Sequence, residues 1–454
     1  MPTTQTTQSA APAVPRVRPA YPGQLAWRLF HDPLETFTSL ARTHGDMVEL
    51  RMRKERVFLL SHPEYVREVL VTNQRNFKKG RALERARMLL GDGLLTSEGD
   101  IHLRQRRMIQ PEFHRQHIAR YAGAMVSITS RRMAQWTDGT AFDMHREMSA
   151  LALAIAGTTL FGAEVEHEAN AIGEALDATF GTFMRTFYMP FGDVVLRLPL
   201  PSSRRFWSGT ARLESTVYRL IAERRASGED KPDLLSLLLR ARDTEGDGTG
   251  MTDQQVRDEV LTFFLAGHET TANALTWTWY LLAQHPAIAA KVSAEALAVG
   301  AGPLTADDVA RLPYTRMVLS ESMRLYPPAW TVARRALGSC EIGGYHIPAG
   351  ALVVLSQWVI HRDERWWPNA DRFLPDRWHP NAPADRPKFA YFPFGGGARM
   401  CIGEHFAWME GVLVLATIAR EWRFALTPGA TVTPRATITL RPKGGVPMIA
   451  HRRT

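Results

Sequence analysis

Ten residues toward the end of the chain concentrate its chemical potential. In residues 394–403, FGGGARMCIG, a cysteine follows three glycines and an arginine and stands just before a run with helical spacing. Gly395, Gly396, Gly397 and Gly403 permit positive φ and let backbone come close to something flat or bulky. Arg399 brings positive charge toward Cys401. Backbone N–H groups at the start of the following helix, near residues 404–406, are placed to donate to the sulfur, and with the helix dipole they favour a thiolate over a thiol. A thiolate held in such a loop suits a nucleophile or an axial ligand to iron, and the local residues leave both open. His405, four residues after Cys401, is the partner a Cys–His nucleophile would use.

The whole composition narrows the setting. Cys340 and Cys401 are the only cysteines among 454 residues, too few for a disulfide framework, so a reducing compartment is expected and Cys340 reads as an ordinary strand or turn residue. Hydrophobic residues make up 45% and charged residues 22%, a soluble globular balance. The formal charge is +9, but the basic residues are spread out, without a basic block interleaved with aromatics, so nucleic acid is not an expected partner. Residues 1–22 are rich in Pro, Ala, Thr and Gln and lack an apolar h-region, which predicts a flexible lead-in rather than a signal peptide or membrane anchor.

Positioning the cysteine loop requires a scaffold, and helical periodicity dominates it from about 112 to 325. Strand-like runs lie at 47–61, 341–358 and 436–450, and surface loops are expected at 199–206 and 242–250. The most apolar span, 260–283, carries His268, Glu269 and Asn273 mid-way, where a bilayer would make them costly, so it reads as a helix buried in a soluble body. The expected class is mainly α with small peripheral β-sheets, residues 23–454 forming one catalytic domain.

The spacing Phe394-x-x-Gly397-x-Arg399-x-Cys401-x-Gly403 resembles the haem-binding loop of the cytochrome P450 family. Four further segments stand in that family's order: HLRQR with His102 and Arg106, AGHETT at 266–271, ESMR with Glu321 and Arg324, and PNADRFLPDRW with Arg377. The likeness runs from about 25 to 450 and resembles the long bacterial members and the fatty-acid-hydroxylating branch. It implies the cytochrome P450 fold, with haem b buried between the long central helix and the cysteine-loop helix. Cys401 would be the axial thiolate, which pushes electron density onto iron. Phe394 would pack by the sulfur, with Gly403 beside it.

The resemblance also distributes the remaining roles. His102, Arg106, Arg399 and Arg334 (or Arg335) would meet the haem propionates, anions that need cationic or donating partners. Ala266 would leave room for dioxygen, and Glu269 and Thr270 would hold water and deliver protons, Thr270 rather than Thr271 being the hydroxyl concerned. Glu321, Arg324 and Arg377 would form a structural cluster. The implied activity is a cytoplasmic, monomeric monooxygenase (EC 1.14) that inserts one atom of O2 into an apolar substrate. Its electrons would come from a separate ferredoxin or flavodoxin with an NAD(P)H-dependent reductase, because the chain ends about 50 residues past Cys401. Arg104 and Arg107 are expected to present charge to that donor. Phe180, Phe183, Phe187, Tyr188 and Phe191 form an apolar wall or ordinary helix packing. A thiolate-haem isomerase or dehydratase would not need the Glu269–Thr270 pair.

Overall fold

A computed structural model describes residues 13–52, 55–162, 179, 192–229, 231–383 and 385–453. The aromatic run at 180–191 lies outside them. The chain divides into two compact units, the smaller drawn from residues 1–81, 331–370 and 385–400, the larger from 82–330, 371–384 and 401–454.

The larger unit is built around the 32-residue helix Asp253–Gln284. Its start is fixed by a capping box: the Thr252 hydroxyl accepts from the Gln255 N–H, and the Gln255 side chain accepts from the Thr252 N–H. His285 closes it and Pro286 opens the next helix. Nearly every side chain between Val256 and Leu282 is buried, so this helix is apolar all round rather than striped. Its polar residues are satisfied locally or by neighbours. Thr276 and Thr278 donate back to the carbonyls four residues earlier, and the Trp277 indole donates to the Leu440 carbonyl at 2.9 Å. None of the described helices is long and apolar enough to cross a membrane.

Helices packed against the cysteine helix, Glu404–Glu421, include the long helix, Ala122–Met133, Pro286–Ala298 and Pro313–Leu325. The crossing with Pro313–Leu325 is close at Gly411, where a Cβ would come within 2.5 Å of Leu319. A three-stranded sheet, Ala141–Asp143 with Pro447–Arg452 and Trp422–Leu426, and the hairpin Pro434–Ala436 with Leu440–Pro442 complete this unit. The loop expected at 199–206 instead enters the helix Pro201–Ser227, because Pro201 is pre-set for the first helical turn.

The smaller unit holds a five-stranded sheet ordered Met47–Met52, Glu55–Leu60, Leu352–Leu355, Val332–Ala336, Phe77–Lys79. Only the Glu55–Leu60 and Leu352–Leu355 pair is parallel, and one face of the sheet buries Phe58, Leu60, Phe77, Phe389 and Phe392. Part of the expected lead-in is tied to this sheet: Val17 donates to the Glu49 carbonyl and Glu49 to that of Pro15, so backbone pairing holds a stretch whose composition reads as loose.

Glu321 and Arg324, both fully buried, form the charged knot of the larger unit. Arg324 donates to both carboxylate oxygens at 2.9 and 2.8 Å, and Arg377, the Trp378 indole and the Leu374 N–H complete the set at 3.1, 2.9 and 3.0 Å. Glu321→Ala strands two guanidiniums and is expected to cost roughly 3–5 kcal/mol. The double change Glu321→Leu with Arg324→Met should cost much less, and chemical denaturation of the two variants checks the difference.

Candidate functional site

In the larger unit the site begins at the sulfur. Cys401 sits two residues before the cysteine helix, and the Gly403 N–H donates to it. Gly403 has an ordinary negative φ, and a Cβ there would meet only the sulfur, at 3.9 Å. Cys401 is among the exposed residues, yet burial is the main influence on its thiol and pushes its pKa up. Both hold for a sulfur that faces open space deep inside the protein. Glu404 pushes the pKa up as well, while the Gly403 N–H and the Arg106 charge oppose the rise without cancelling it. Among the protein's own groups, desolvation outweighs the donors to the sulfur. A cation at the sulfur would supply what is missing, since a metal-bound thiol gives up its proton. A raised thiol pKa also counts against a free nucleophile, and His405 is exposed and not among the groups acting on the sulfur.

The helix Gly99–Ile109 brings His102 and Arg106 to one face. His102 is buried; Arg106 is half-buried, hydrogen-bonds Gln110 at 3.1 Å, and has its pKa lowered by burial against the pull of Cys401. Arg104, half-buried, and Arg107, exposed as expected, both also hold the 242–250 loop. Arg107 grips the buried Asp243 at 2.8 and 2.6 Å, and Arg104 donates to the Thr249 and Gly250 carbonyls at 3.1 and 3.0 Å. They staple the 242–250 loop, whose buried carboxylate needs a cation.

Midway along the long helix the burial breaks. Ala266 is exposed and Gly267 and Thr270 are half-exposed, while the residues on either side are buried. These three small or polar groups are thus the accessible positions of an otherwise buried stretch. The Thr270 hydroxyl donates back to the Ala266 carbonyl at 2.7 Å. Glu269 turns away from that opening: it is buried, and its Oε1 accepts from Arg441 Nε at 2.6 Å and from the Thr439 hydroxyl, to which the Asn273 amide donates at 3.1 Å. Burial alone would raise the Glu269 pKa, but the Arg441 charge and these hydrogen bonds hold it below the ordinary carboxylate value. Thr271 is buried and hydrogen-bonded to Glu410 of the cysteine helix. Thr439, Arg441 and Glu410 carry no signal in the sequence, because their partners lie about 140 to 170 positions away along the chain.

The smaller unit supplies residues 394–400. Gly395 and Gly397 have φ of +73° and +69°, as the composition suggests. The close approaches are to protein, however. A Cβ on Gly396 would lie 2.6 Å from the Phe389 ring, and one on Gly397 would lie 1.7 Å from the Leu70 carbonyl. Gln74 accepts from the Ala398 N–H at 2.7 Å, and its carbonyl accepts from Arg399 at 3.3 Å. Phe394 is half-buried. Arg334 is buried in the sheet opposite Val353, whereas Arg335 is engaged by Glu55 at 3.1 Å and the Gly350 carbonyl.

These residues fit a haem. The larger unit presents an accessible sulfur within its interior, a small-residue opening in an otherwise buried helix, and His102 and Arg106 on one inward face. The smaller unit, taken by itself, holds Arg334 and Arg399, cationic donors of the kind propionates need.

A family model described as Cytochrome P450 matches residues 12–446. Cyclooctat-9-en-7-ol 5-monooxygenase of Streptomyces melanosporofaciens is 39% identical over 442 residues, covering 95% of this chain and 95% of that protein. Pentalenene oxygenase of Streptomyces avermitilis is 37% identical over 418 residues, covering 91% and 92%. Among solved structures, the crystal structure of the cytochrome P450DA heme domain matches with a TM-score of 0.89 at 28% identity, covering 98% of this chain and 99% of that one.

If Cys401 is the iron ligand, reduced protein with carbon monoxide shows the strongly red-shifted Soret band of thiolate ligation. Cys401→His should abolish that band and Cys340→Ser should keep it. A red-shifted band in Cys401→His would place the ligand elsewhere.

Proposed function

The chain belongs to the cytochrome P450 family, and from that premise we propose that its substrate is a cyclic terpene hydrocarbon or a mono-alcohol derived from one. The reaction class is that of a cytochrome P450 monooxygenase: one atom of O2 enters an apolar organic substrate and the other is reduced to water, with electrons from a redox partner. Haem b is the cofactor. When bound, it supplies the electron transfer and oxygen chemistry that no side chain can.

The observation that carries this reading is the pairing, in one unit, of an enclosed but accessible Cys401 sulfur with the Ala266–Thr270 opening. The protein's own part follows from it. Cys401 would hold the iron, with the Gly403 N–H donating to the sulfur, and Phe394 keeps the place in the cysteine loop that the family pattern gives it. His102, Arg106, Arg334 and Arg399 neutralise the propionates. Ala266 leaves space for dioxygen, and Thr270 places a hydroxyl beside that space, with the Glu269 carboxylate next along the helix. A wall of the larger unit is fixed where the Trp330 indole donates to the Thr437 carbonyl at 2.9 Å and the Leu440 N–H to that of Pro328 at 2.9 Å. It joins two segments that line substrate pockets in this family.

The terpene class rests on the two Streptomyces relatives, one named for acting on cyclooctat-9-en-7-ol and the other for pentalenene. The donor is a ferredoxin or flavodoxin with its NAD(P)H-dependent reductase. Residues 23–454 work as one catalytic domain, as a cytoplasmic monomer.

Two measurements test this. Cyclic terpene hydrocarbons should shift the ferric haem from low to high spin at micromolar concentration, and straight-chain fatty acids should not; the opposite preference overturns the substrate class. Thr270→Ala should retain the carbon monoxide spectrum and substrate binding while a several-fold larger share of consumed electrons ends as hydrogen peroxide. Unchanged coupling would remove Thr270 from proton handling.

A further inference from the structure

Residues 91–98 of the larger unit join the helix Arg81–Leu90 to the helix Gly99–Ile109, which bears His102 and Arg106. Two buried carboxylates of the long helix hold this loop by its backbone. The Asp92 N–H donates to Asp258 Oδ2 at 2.8 Å, and the Leu94 N–H donates to Glu259 Oε2 at 2.9 Å. Asp258 is 3% exposed and Glu259 fully buried. Arg257 donates to Asp258 Oδ1 at 2.8 Å and to the Leu89 carbonyl at 3.3 Å, so the charge of Asp258 is met within the same cluster. On its other side the loop is held by Gln105, whose amide donates to the Asp92 carbonyl at 2.5 Å and accepts from the Ser97 hydroxyl at 2.6 Å. The close approach requires glycine. A Cβ on Gly91, whose φ is +64°, would collide with the Asp258 carboxylate; one on Gly93 would collide with the Thr262 hydroxyl and lie 2.6 Å from the Asp258 carbonyl oxygen.

Thr262 and Ala266 are four apart and adjacent on one face of the long helix, about 6 Å along its axis. Thr262 is buried beneath Gly93, and Ala266 is the first accessible residue after it. The loop therefore ends where the accessible face of Ala266, Gly267 and Thr270 begins. Holding it there leaves the Thr262 hydroxyl, 4% exposed, without a hydrogen-bond partner among the described residues. A buried hydroxyl left so is destabilising, which means the fold keeps this contact against a penalty. We propose that Asp258 and Glu259 are specificity-determining positioning residues: through the Asp92 and Leu94 N–H groups they fix where residues 91–95 stand beside that accessible face, and so decide which substrate shapes fit there. Neither carboxylate touches substrate. Hydrogen bonds to charged acceptors are strong and directional, so a backbone held by two of them keeps one position and distinguishes shapes that a looser wall would accept alike.

The inference rests on the monooxygenase reading, and its first test does not use turnover. Imidazole, 1-phenylimidazole and 4-phenylimidazole ligate ferric haem and shift its Soret band; the two phenyl isomers differ in shape but not in size. Wild-type holoenzyme should prefer one isomer. In Glu259→Leu, which removes the acceptor, and in Gly93→Ala, which pushes the loop off the helix, that preference should fall several-fold while imidazole affinity is unchanged. Glu259→Gln, whose Oε1 still accepts from the Leu94 N–H, should keep the wild-type preference. Equal affinity of the isomers in wild type, a preference unchanged in both disruptive variants, or an equal loss for all three ligands overturns the proposal.

Hydrogen exchange reads the clamp itself. In ferric holoenzyme the amide hydrogens of Asp92 and Leu94 should be protected in wild type and in Glu259→Gln, and that of Leu94 should exchange many times faster in Glu259→Leu. Exchange at Leu94 as fast in wild type as in Glu259→Leu overturns the proposal. In turnover of whichever cyclic terpene hydrocarbon gives wild type its largest spin shift, Glu259→Leu should oxidise more positions with an unchanged carbon monoxide spectrum. A released loop with the same product positions also overturns it. If no cyclic terpene shifts the wild-type spin state, the substrate class fails instead, and the azole and exchange results decide the role of Asp258 and Glu259 by themselves.

Discussion

Polar groups carried through the middle of the long helix set the terms for the rest of the larger unit. A buried hydroxyl, amide or carboxylate without a partner costs more than most single contacts contribute, so each one dictates a neighbour. Asn273 and Glu269 require Thr439 and Arg441, which fixes the hairpin 434–442 against the helix. Trp277 requires the Leu440 carbonyl, a second tie to the same hairpin. Thr271 meets Glu410, which ties the helix to the one that follows the cysteine. The face left without such ties, formed by Ala266, Gly267 and Thr270, is the accessible part of the helix.

The same logic separates the charged groups that hold structure from those available for chemistry. Glu321, Arg324 and Arg377 form a closed set in which every carboxylate oxygen is matched, and such a set has no spare valence. Arg104 and Arg107 are engaged by the 242–250 loop. Arg335 is taken by Glu55. Cys401 differs: desolvation outweighs its donors within the protein, and a metal cation at the sulfur would favour the thiolate. The protein has enclosed the sulfur more than it has stabilised its charge.

Much of the outline was legible. The polar residues inside an apolar run marked a buried helix rather than a membrane span, and the strand-like runs marked the peripheral sheets. The i,i+3 spacing of Glu321 and Arg324 announced their ion pair, because residues three apart share a helix face. Where local pattern misled, a distant partner was responsible. Residues 14–17 have the composition of a loose leader but find the edge of a strand.

Sequence by itself determined which residues could act: the lone cysteine in a glycine-rich loop, the acid–alcohol pair in an apolar helix, the basic pair four apart, and their order along the chain. Those features are local, and local spacing fixes them through helix geometry and glycine torsions. Tertiary structure alone decided the state of each. Whether a carboxyl is an anion or an acid, and whether a thiol is charged, depends on desolvation and on charges brought in from remote segments. Glu269 and Glu410 are the same side chain, and only the fold places Arg441 beside one and nothing charged beside the other.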